Sequence, residues 1–575
     1  MPTQSEMPFA PTVDHRSRIL QRPGAGGIER VGSAGRLLHL LPLIALVLIV
    51  LAASGTSLGN GFAYDDLLIV RDNQQIHSLG DMAFDFVQGY WPQEHGGALY
   101  RPLTLVLFSL QWALGRGAPW LFHAVNVTVY AGLTLALFAL GRRVLPSGPA
   151  WLAAALFAVH PVHVEAVANV VGQAELTTGL MVVVAVWVYL DARTGPGLRA
   201  RESVALLVLL AAAGLCKENG IIIPAILLLA ELTLVEERRP VRSRISALLP
   251  TYLLLIVGAA ILMGARHAAL GATVGEYPAL VLRGLGFKDR LLTMLGIVPE
   301  WIRLFFWPAH LRADYAPPEF DAATRFGAAQ GVGLGLVVLA GLVAVACRQR
   351  HPAVTFGIGF AALALLPVSN LLLPTGILLA ERTLLLPSVG VVIAVAGLLT
   401  VAWQRLDVGA RPIRWAALAG VAVLLLIGTV RSALRQPAWR DTPSVLAQLV
   451  KDAPLDYRAW LMYGGHLRSL GRVAEAKAAM VRAASLYHAD GRVYEDLGQL
   501  IRFQSGCGRA IRIFRRGLEL DPGLRNARGR LYVCLLELGD TSAAMEVAKE
   551  GARRGQWFFQ LVMITGPERA SAALH

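Results

Sequence analysis

The chain has 575 residues, 55% of them hydrophobic and 16% charged, with a mean hydropathy of +0.54. That composition is too apolar and too poor in charge for a soluble protein of this length and points to the bilayer as its solvent. The formal net charge of +14 sits mostly on Arg, in short clusters between apolar runs with little aromatic interleaving, which reads as topology signalling and argues against nucleic-acid binding. Cys216, Cys347, Cys507 and Cys534 form no C-x-x-C pair, so a zinc or thiol redox site has no support.

Residues 1–36 are rich in Gly, Pro and Arg and are expected to form a disordered cytoplasmic tail ahead of a retained first membrane helix, without a signal-peptide cleavage site. About 20 apolar residues cross the roughly 30 Å hydrocarbon layer as a helix. Runs of that kind recur at 37–57, 119–141, 149–164, 174–190, 203–216, 219–235, 246–265, 329–347, 353–371, 384–403 and 415–431, about eleven candidate spans. Arg16, Arg18, Arg22, Arg30 and Arg36 precede the first. Arg142 and Arg143, then Arg193, Arg199 and Arg201, then Arg238, Arg239, Arg242 and Arg244, then Arg348 and Arg350, then Arg405, Arg411 and Arg414 keep the same phase. Positive loops stay inside, so the N-terminus is expected in the cytoplasm and everything after Arg431 outside it. The apolar stretch 291–308 is interrupted by Pro299, Glu300 and Arg303; it is expected to lie as an interfacial or re-entrant helix, because such charges are costly at a lipid-facing helix centre.

The expected organisation is therefore a transmembrane domain over 37–431 with outer loops at 58–118 and 266–328, a linker at 432–454, repeats over 455–555 and a tail over 556–575. The repeats show a period of 34 residues: Trp460, Gly464, Leu467, Gly471, Ala476 and Met480 align with Tyr494, Gly498, Ile501, Ser505, Ala510 and Phe514, and a third copy continues with Leu535, Gly539, Ala544 and Ala548. The unit resembles the TPR helix-turn-helix repeat, in which Ala476, Ala510 and Ala544 let paired helices approach and Gly471 and Gly539 suit the turn. Such an array offers a peptide-binding surface or serves as a packing module. Cys507 and Cys534 are 27 residues apart on helices that would be neighbours, and an oxidising exterior would permit a disulfide between them, a pairing the sequence leaves open. The fold class is all-α: a polytopic membrane helical bundle with a C-terminal TPR α-solenoid.

Several short stretches carry candidate chemistry. "NGFAYDDLLIVRDN" places Asp65 and Asp66 just after the first span. A carboxylate there suits a general base for a hydroxyl at the membrane surface, although paired aspartates also suit a solvated turn. "FAVHPVHVEAVANVVGQAELTTG" places His160, His163, Glu165 and Glu175 near the outer ends of two spans, where ionisable groups either line the water interface or face a polar cavity. "GLCKENG" and "AERTLLLPSVG" put Lys217 and Arg382 on the outer side, against the positive-inside pattern. Cations there suit the phosphate of a lipid-linked donor.

In combination, "YDD", "YRPLT", "FAVHPVHVEAVANVVGQAEL", "KENG", "AERTLLLPSVG" and the repeat array resemble the transmembrane-and-TPR O-mannosyltransferases, of the GT-C glycosyltransferase class, and specifically a bacterial relative. The resemblance covers about residues 55–555 and implies a GT-C-type bundle. The implied enzyme moves a sugar, such as mannose, from a polyprenyl-phosphate donor to a hydroxyl acceptor outside the cytoplasm, with inversion. In that reading Asp65 is the base, Asp66 its partner, Glu165 and His163 further cavity residues, and Lys217 and Arg382 hold the donor phosphate, with Arg101 a further candidate. The class includes enzymes with a divalent metal at an acidic motif, and Asp65 with Asp66 could supply part of such a site, but two adjacent carboxylates do not complete a coordination sphere, so no required metal or other cofactor is expected. The implied partners are the lipid-linked donor, membrane lipid, and a protein or glycan acceptor recruited by the repeats. A transferase acting on an envelope lipid or polysaccharide, or a non-catalytic membrane-anchored scaffold, fits the same architecture. The Arg-rich, Lys-poor composition suggests a bacterial inner membrane with the repeats in the periplasm.

Overall fold

The computed structural model describes residues 33–92, 99–194, 198–236, 239–272, 279–405 and 411–566. Most of the expected N-terminal tail, with Arg16, Arg18, Arg22 and Arg30, lies outside the described residues, as do Arg238 and 567–575. The described chain is helical. Its helices are α1 (Ser33–Ser54), α2 (Pro102–Gly115), α3 (Pro119–Val144), α4 (Ser147–Ala158), α5 (Val164–Ala168), α6 (Gln173–Ala192), α7 (Ala200–Cys216), α8 (Ile223–Thr233), α9 (Val241–Leu270), α10 (Phe287–Phe306) and α11 (Ala328–Cys347). They continue with α12 (Pro352–Leu365), α13 (Leu385–Gln404), α14 (Arg411–Arg435), α15 (Thr442–Asp452), α16 (Tyr457–Ser469), α17 (Val473–Leu486), α18 (Gly491–Ser505), α19 (Cys507–Leu520), α20 (Arg525–Glu537), α21 (Thr541–Arg553) and α22 (Trp557–Thr565). Proline opens α2, α3 and α12, a position where its missing N–H costs no helical hydrogen bond.

Seven described segments are long and apolar enough to cross a membrane, and an eighth if the pair Ser147–Ala158 and Pro161–Ala168, bent by 48°, is one span. This is fewer than the eleven expected. Stretches 203–216, 219–235 and 353–371 fold as α7, α8 and α12, of 17, 11 and 14 residues, and 149–164 breaks at the bend. The short helices nonetheless connect two layers of charge. Lys217 and Glu218 stand between α7 and α8. At the other end of α8, Glu231 takes hydrogen bonds from Arg193 at 2.8 and 2.9 Å, from Arg244 at 2.7 Å and from the Tyr189 hydroxyl at 2.7 Å. On α6 these layers are marked by Glu175, the partner of Lys217, and by Tyr189 and Arg193, which sets them about 20–27 Å apart. Outward-facing Ile256, Val338, Leu342, Leu424 and Ile427 are exposed, as side chains bathed in hydrocarbon must be.

The chain divides into two compact units. The first comprises Met1–Gly275, Gly335–Pro367 and Arg382–Pro437. Its main core gathers Tyr130, Leu133, Phe157, Val183, Leu210, Ile226, Phe356, Phe360, Leu385 and Val389, from α3, α4, α6, α7, α8, α12 and α13.

The second unit comprises Glu276–Leu334, Val368–Glu381 and Ala438–His575. It joins α10 to the C-terminal helix pairs. Helix α10 buries Met294, Ile297, Trp301, Leu304 and Phe305 on one face, pairs Glu300 with Arg303 at 2.6 and 2.7 Å, and is not among the seven spanning segments. The first helices of the three pairs start at 457, 491 and 525, and the second helices at 473, 507 and 541, so both series repeat every 34 residues. Ala476, Ala510 and Ala544 are fully buried where paired helices meet. In the middle pair the left-handed turn falls on Gly506, with φ +76°; the aligned Ser505 closes α18 instead. Helix α22 adds a further element within the expected tail, packing Phe559 and Val562 into the core of the last pair.

The segment Leu311–Pro318 docks on the first repeat. Asp456 caps α16 by accepting hydrogen bonds from the N–H of Arg458 and Ala459 at 2.8 and 3.1 Å, and its second oxygen accepts the N–H of Ala316 at 3.1 Å. The Tyr457 N–H donates to the Pro317 carbonyl at 3.2 Å, and Arg458 pairs with Asp314 at 3.3 Å.

Cys507 and Cys534, both buried, form a disulfide between α19 and α20 across a sequence separation of 27. Closing a loop of that length restrains the unfolded chain by about 3 kcal/mol. Cys534→Ser is therefore expected to destabilise the last two helix pairs by about that amount, read as faster hydrogen exchange over 491–553 with little change in α1–α9.

Candidate active site

One end of the first unit's helices collects nearly every side chain singled out in the sequence. The sharp path from α4 to α6 makes this possible. After α4 the chain turns through Pro161–His163, the single-turn α5 and the turn Val170–Gly172 before α6 begins. A Cβ at Gly172 would meet the Ala166 carbonyl oxygen at 2.2 Å, so this fold-back needs glycine.

Within the turn, His163 and Glu165 both grip the start of α13. Ring nitrogen Nε2 of His163 is 2.8 Å from the Ser388 hydroxyl, while Nδ1 is 2.8 Å from the Tyr130 hydroxyl and 3.0 Å from the Phe157 carbonyl. With both nitrogens engaged and 1% of the residue exposed, His163 pins helices together. Glu165, equally buried, accepts the Arg382 guanidinium at 2.6 Å through Oε1 and the Arg382 backbone N–H at 2.9 Å through Oε2. The other guanidinium nitrogen of Arg382 lies 4.0 Å from Asp65. These side chains of Arg382 and Asp65 keep 23% and 21% of their surface exposed.

Asp65 and Asp66 have different surroundings. Asp66 is fully buried and accepts three backbone N–H groups, from Ala63 at 3.1 Å, Val170 at 3.3 Å and Val171 at 2.9 Å. It fastens the loop after α1 onto the turn before α6. Burial pushes its carboxyl up to about 7 against the pull of those donors. Asp65 keeps its access to water beside Arg382.

The remaining cations each meet a carboxylate. Lys217 pairs with Glu175, both buried. Arg101 donates to Glu218 at 2.9 and 3.1 Å and lies over the Tyr90 ring at 5.1 Å, and Arg266 reaches the other oxygen of Glu218 at 3.2 Å. Burial raises the Glu218 carboxyl, but the two guanidiniums outweigh it and bring it down to about 2. Glu218 and Arg266 also border a small, open indentation with Tyr100, Ile221, Leu262 and Met263. Among the described residues no three His, Cys, Asp or Glu side chains are grouped to hold a metal ion.

The structure thus unites Asp65, Asp66, Glu165, His163, Lys217, Arg382 and Arg101 in one unit, with His163 and Asp66 turned to structural contacts. Glu381, next to Arg382 in sequence, belongs to the second unit, where it accepts the Tyr315 hydroxyl at 2.7 Å. Sequence reasoning missed the bridging part of Glu218, although "KENG" contained it, and missed Arg266 and Tyr90, which have no local motif to mark them.

Architecture and site define a polytopic α-helical membrane protein with C-terminal helix-pair repeats and a charged cluster at one end of its bundle. No protein-family model matches the chain. It is similar over most of its length to curated protein O-mannosyl-transferases. These include mouse TMTC3, 25% identical over 495 residues covering 79% of this chain and 53% of that protein. Drosophila melanogaster Tmtc3 is 25% identical, covering 84% and 60%, and human TMTC4 is 28% identical, covering 72% and 62%. The chain spans between half and two thirds of the length of these relatives. A crystal structure of the Archaeoglobus fulgidus oligosaccharyltransferase aligns with a TM-score of 0.43 at 14% identity, covering 77% of this chain and 59% of that one, a likeness too loose to bear on chemistry.

Two substitutions separate the carboxylates. Asp66→Ala strips three buried N–H groups of their acceptor and is expected to cost about 3 kcal/mol, read by thermal unfolding, whereas Asp65→Asn is expected to stay within about 0.5 kcal/mol of the native protein. Glu218→Gln removes the carboxylate shared by Arg101 and Arg266, at a cost on the order of 3 kcal/mol near neutral pH. Because the folded-state pKa of Glu218 lies below its ordinary 4.5, its contribution is present above pH 4.5 and fades as pH falls toward 2. The gap between native and Glu218→Gln unfolding temperatures should close over that window.

Proposed function

We propose that this protein is a membrane glycosyltransferase that moves a hexose, such as mannose, from a polyprenyl-phosphate donor to a hydroxyl acceptor on the non-cytoplasmic face. The observation that carries the proposal is Asp65, water-accessible and 4.0 Å from an Arg382 that is itself fixed on buried Glu165. A carboxylate held beside a fixed cation, at the point where the chain leaves the bilayer, can take a proton from an acceptor hydroxyl next to a leaving phosphate. The acceptor oxygen attacks the sugar's anomeric carbon from the face opposite the phosphate. The carbon–oxygen bond to phosphate breaks with its electron pair, releasing polyprenyl phosphate, and the acceptor proton passes to Asp65. Inversion follows from the single displacement.

Arg382, partly exposed, is the first residue for the donor phosphate, with Arg101 next and Lys217 behind them, held by Glu175. Glu165, Asp66 and His163 are positioning residues. Similarity to proteins named protein O-mannosyl-transferases supports mannosyl transfer, and a protein hydroxyl is the acceptor that those names suggest. The Cys507–Cys534 disulfide supports an oxidising compartment for the repeats, which in a bacterial inner membrane is the periplasm. The short α7, α8 and α12, together with the bent α4–α5 pair, would complete eleven spans and keep the N-terminus cytoplasmic.

The test is sugar transfer from labelled polyprenyl-phosphate donors by purified protein in membranes, native against Asp65→Asn. Native transfer falling by a factor of about 100 or more in the variant is expected for loss of a general base. Equal rates in both would remove Asp65 from the chemistry, and no transfer by native protein across a panel of sugars would leave the scaffold reading in its place.

A further inference from the structure

Tyr90 stands apart from the groups already assigned. Its residue is 2% exposed and its backbone is held by a 2.7 Å hydrogen bond from its N–H to the Leu99 carbonyl. The ring packs in the loop core with Ile69, Val70, Leu105 and Phe122, and the Arg101 guanidinium covers its face. The phenol oxygen is buried yet has no hydrogen-bond partner among the described residues. It lies within electrostatic reach of Arg101, Asp65, Asp66 and Arg382.

An orphaned buried hydroxyl is a standing cost, which phenylalanine would avoid with the same packing. Burial raises this phenol above its ordinary range, so near neutral pH it keeps its proton and has a hydrogen bond to give. Two arginines stand near it. An anionic oxygen drawn to Arg101 and Arg382 would arrive where the phenol can donate to it, in surroundings that exclude water and strengthen the bond. A sugar hydroxyl would satisfy the phenol too, but would not answer the two guanidiniums.

We propose that Tyr90 is a donor-binding residue whose hydroxyl hydrogen-bonds a phosphate oxygen of the lipid-linked donor beside Arg101 and Arg382. This rests on the proposed transferase reading and adds a residue to its site. The bond persists after transfer, since the phosphate stays on the departing lipid, so Tyr90 also holds the product.

The test measures binding, independently of turnover. Full-length protein and Tyr90→Phe are titrated with undecaprenyl phosphate and, separately, with undecaprenol, following thermal unfolding. Without ligand the variant is expected to be as stable as the native protein or more so, because the orphaned hydroxyl is gone. Its affinity for undecaprenyl phosphate should fall about ten-fold or more, as for loss of a hydrogen bond to a charged group, with undecaprenol indifferent to the substitution. Equal affinities for the phosphate overturn the role of Tyr90 and leave the transferase reading standing. A ligand-free variant clearly less stable than native makes the hydroxyl structural and also overturns it. A native protein that undecaprenyl phosphate does not stabilise overturns the donor assignment and this inference together.

Discussion

Glu165 can be buried as an anion only because Arg382 meets both of its oxygens, one through the guanidinium and one through the backbone N–H. The two residues lie 217 apart in sequence, so the pair fixes the start of α13 against the turn between α4 and α6. His163 makes the same junction a second time through Ser388, and Asp66 adds the loop after α1 through Val170 and Val171. Without the pair a carboxylate would be left uncompensated in the bundle, at a cost of several kcal/mol. The position of Asp65 is inherited from these three attachments, none of which it makes itself.

Charge balance orders the site. Lys217 with Glu175, Arg101 and Arg266 with Glu218, and Arg382 with Glu165 and Asp65 form three groups, each with its own carboxylate. A cluster of unneutralised cations at this depth would repel itself and resist folding. In the proposed reading a donor phosphate would compete with resident carboxylates, and would do so best where the pair is longest, at Asp65 and Arg382.

What the sequence disclosed and what it hid follow the range of the interactions. The 34-residue period needs only local alignment, and α16–α21 begin where that period puts them. Spans of 20 or more apolar residues are equally local. The short α7, α8 and α12 were legible as apolar runs but not as helices of 11–17 residues. Asp65, Glu165, Lys217 and Arg382 stood out because charge beside an apolar run is unusual. The difference between Asp65 and Asp66 was not legible, since it depends on the N–H groups of Val170 and Val171 about a hundred residues away. Glu218 hid for the same reason: its partners Arg101 and Arg266 come from distant segments. His163 looked like a cavity residue because its partners Tyr130 and Ser388 belong to other helices.

The docking of Leu311–Pro318 on Asp456 and Tyr457 bears on how such an array changes length in evolution. The leading edge of the first repeat is already spoken for, its helix cap shared with a segment encoded some 140 residues earlier. A new repeat inserted ahead of α16 would displace that segment and forfeit its contacts, whereas one added after α21 replaces only the packing of α22. The array is thereby polar: its first unit is fixed by a segment from elsewhere in the chain, and only its far end could take on another helix pair without undoing that attachment.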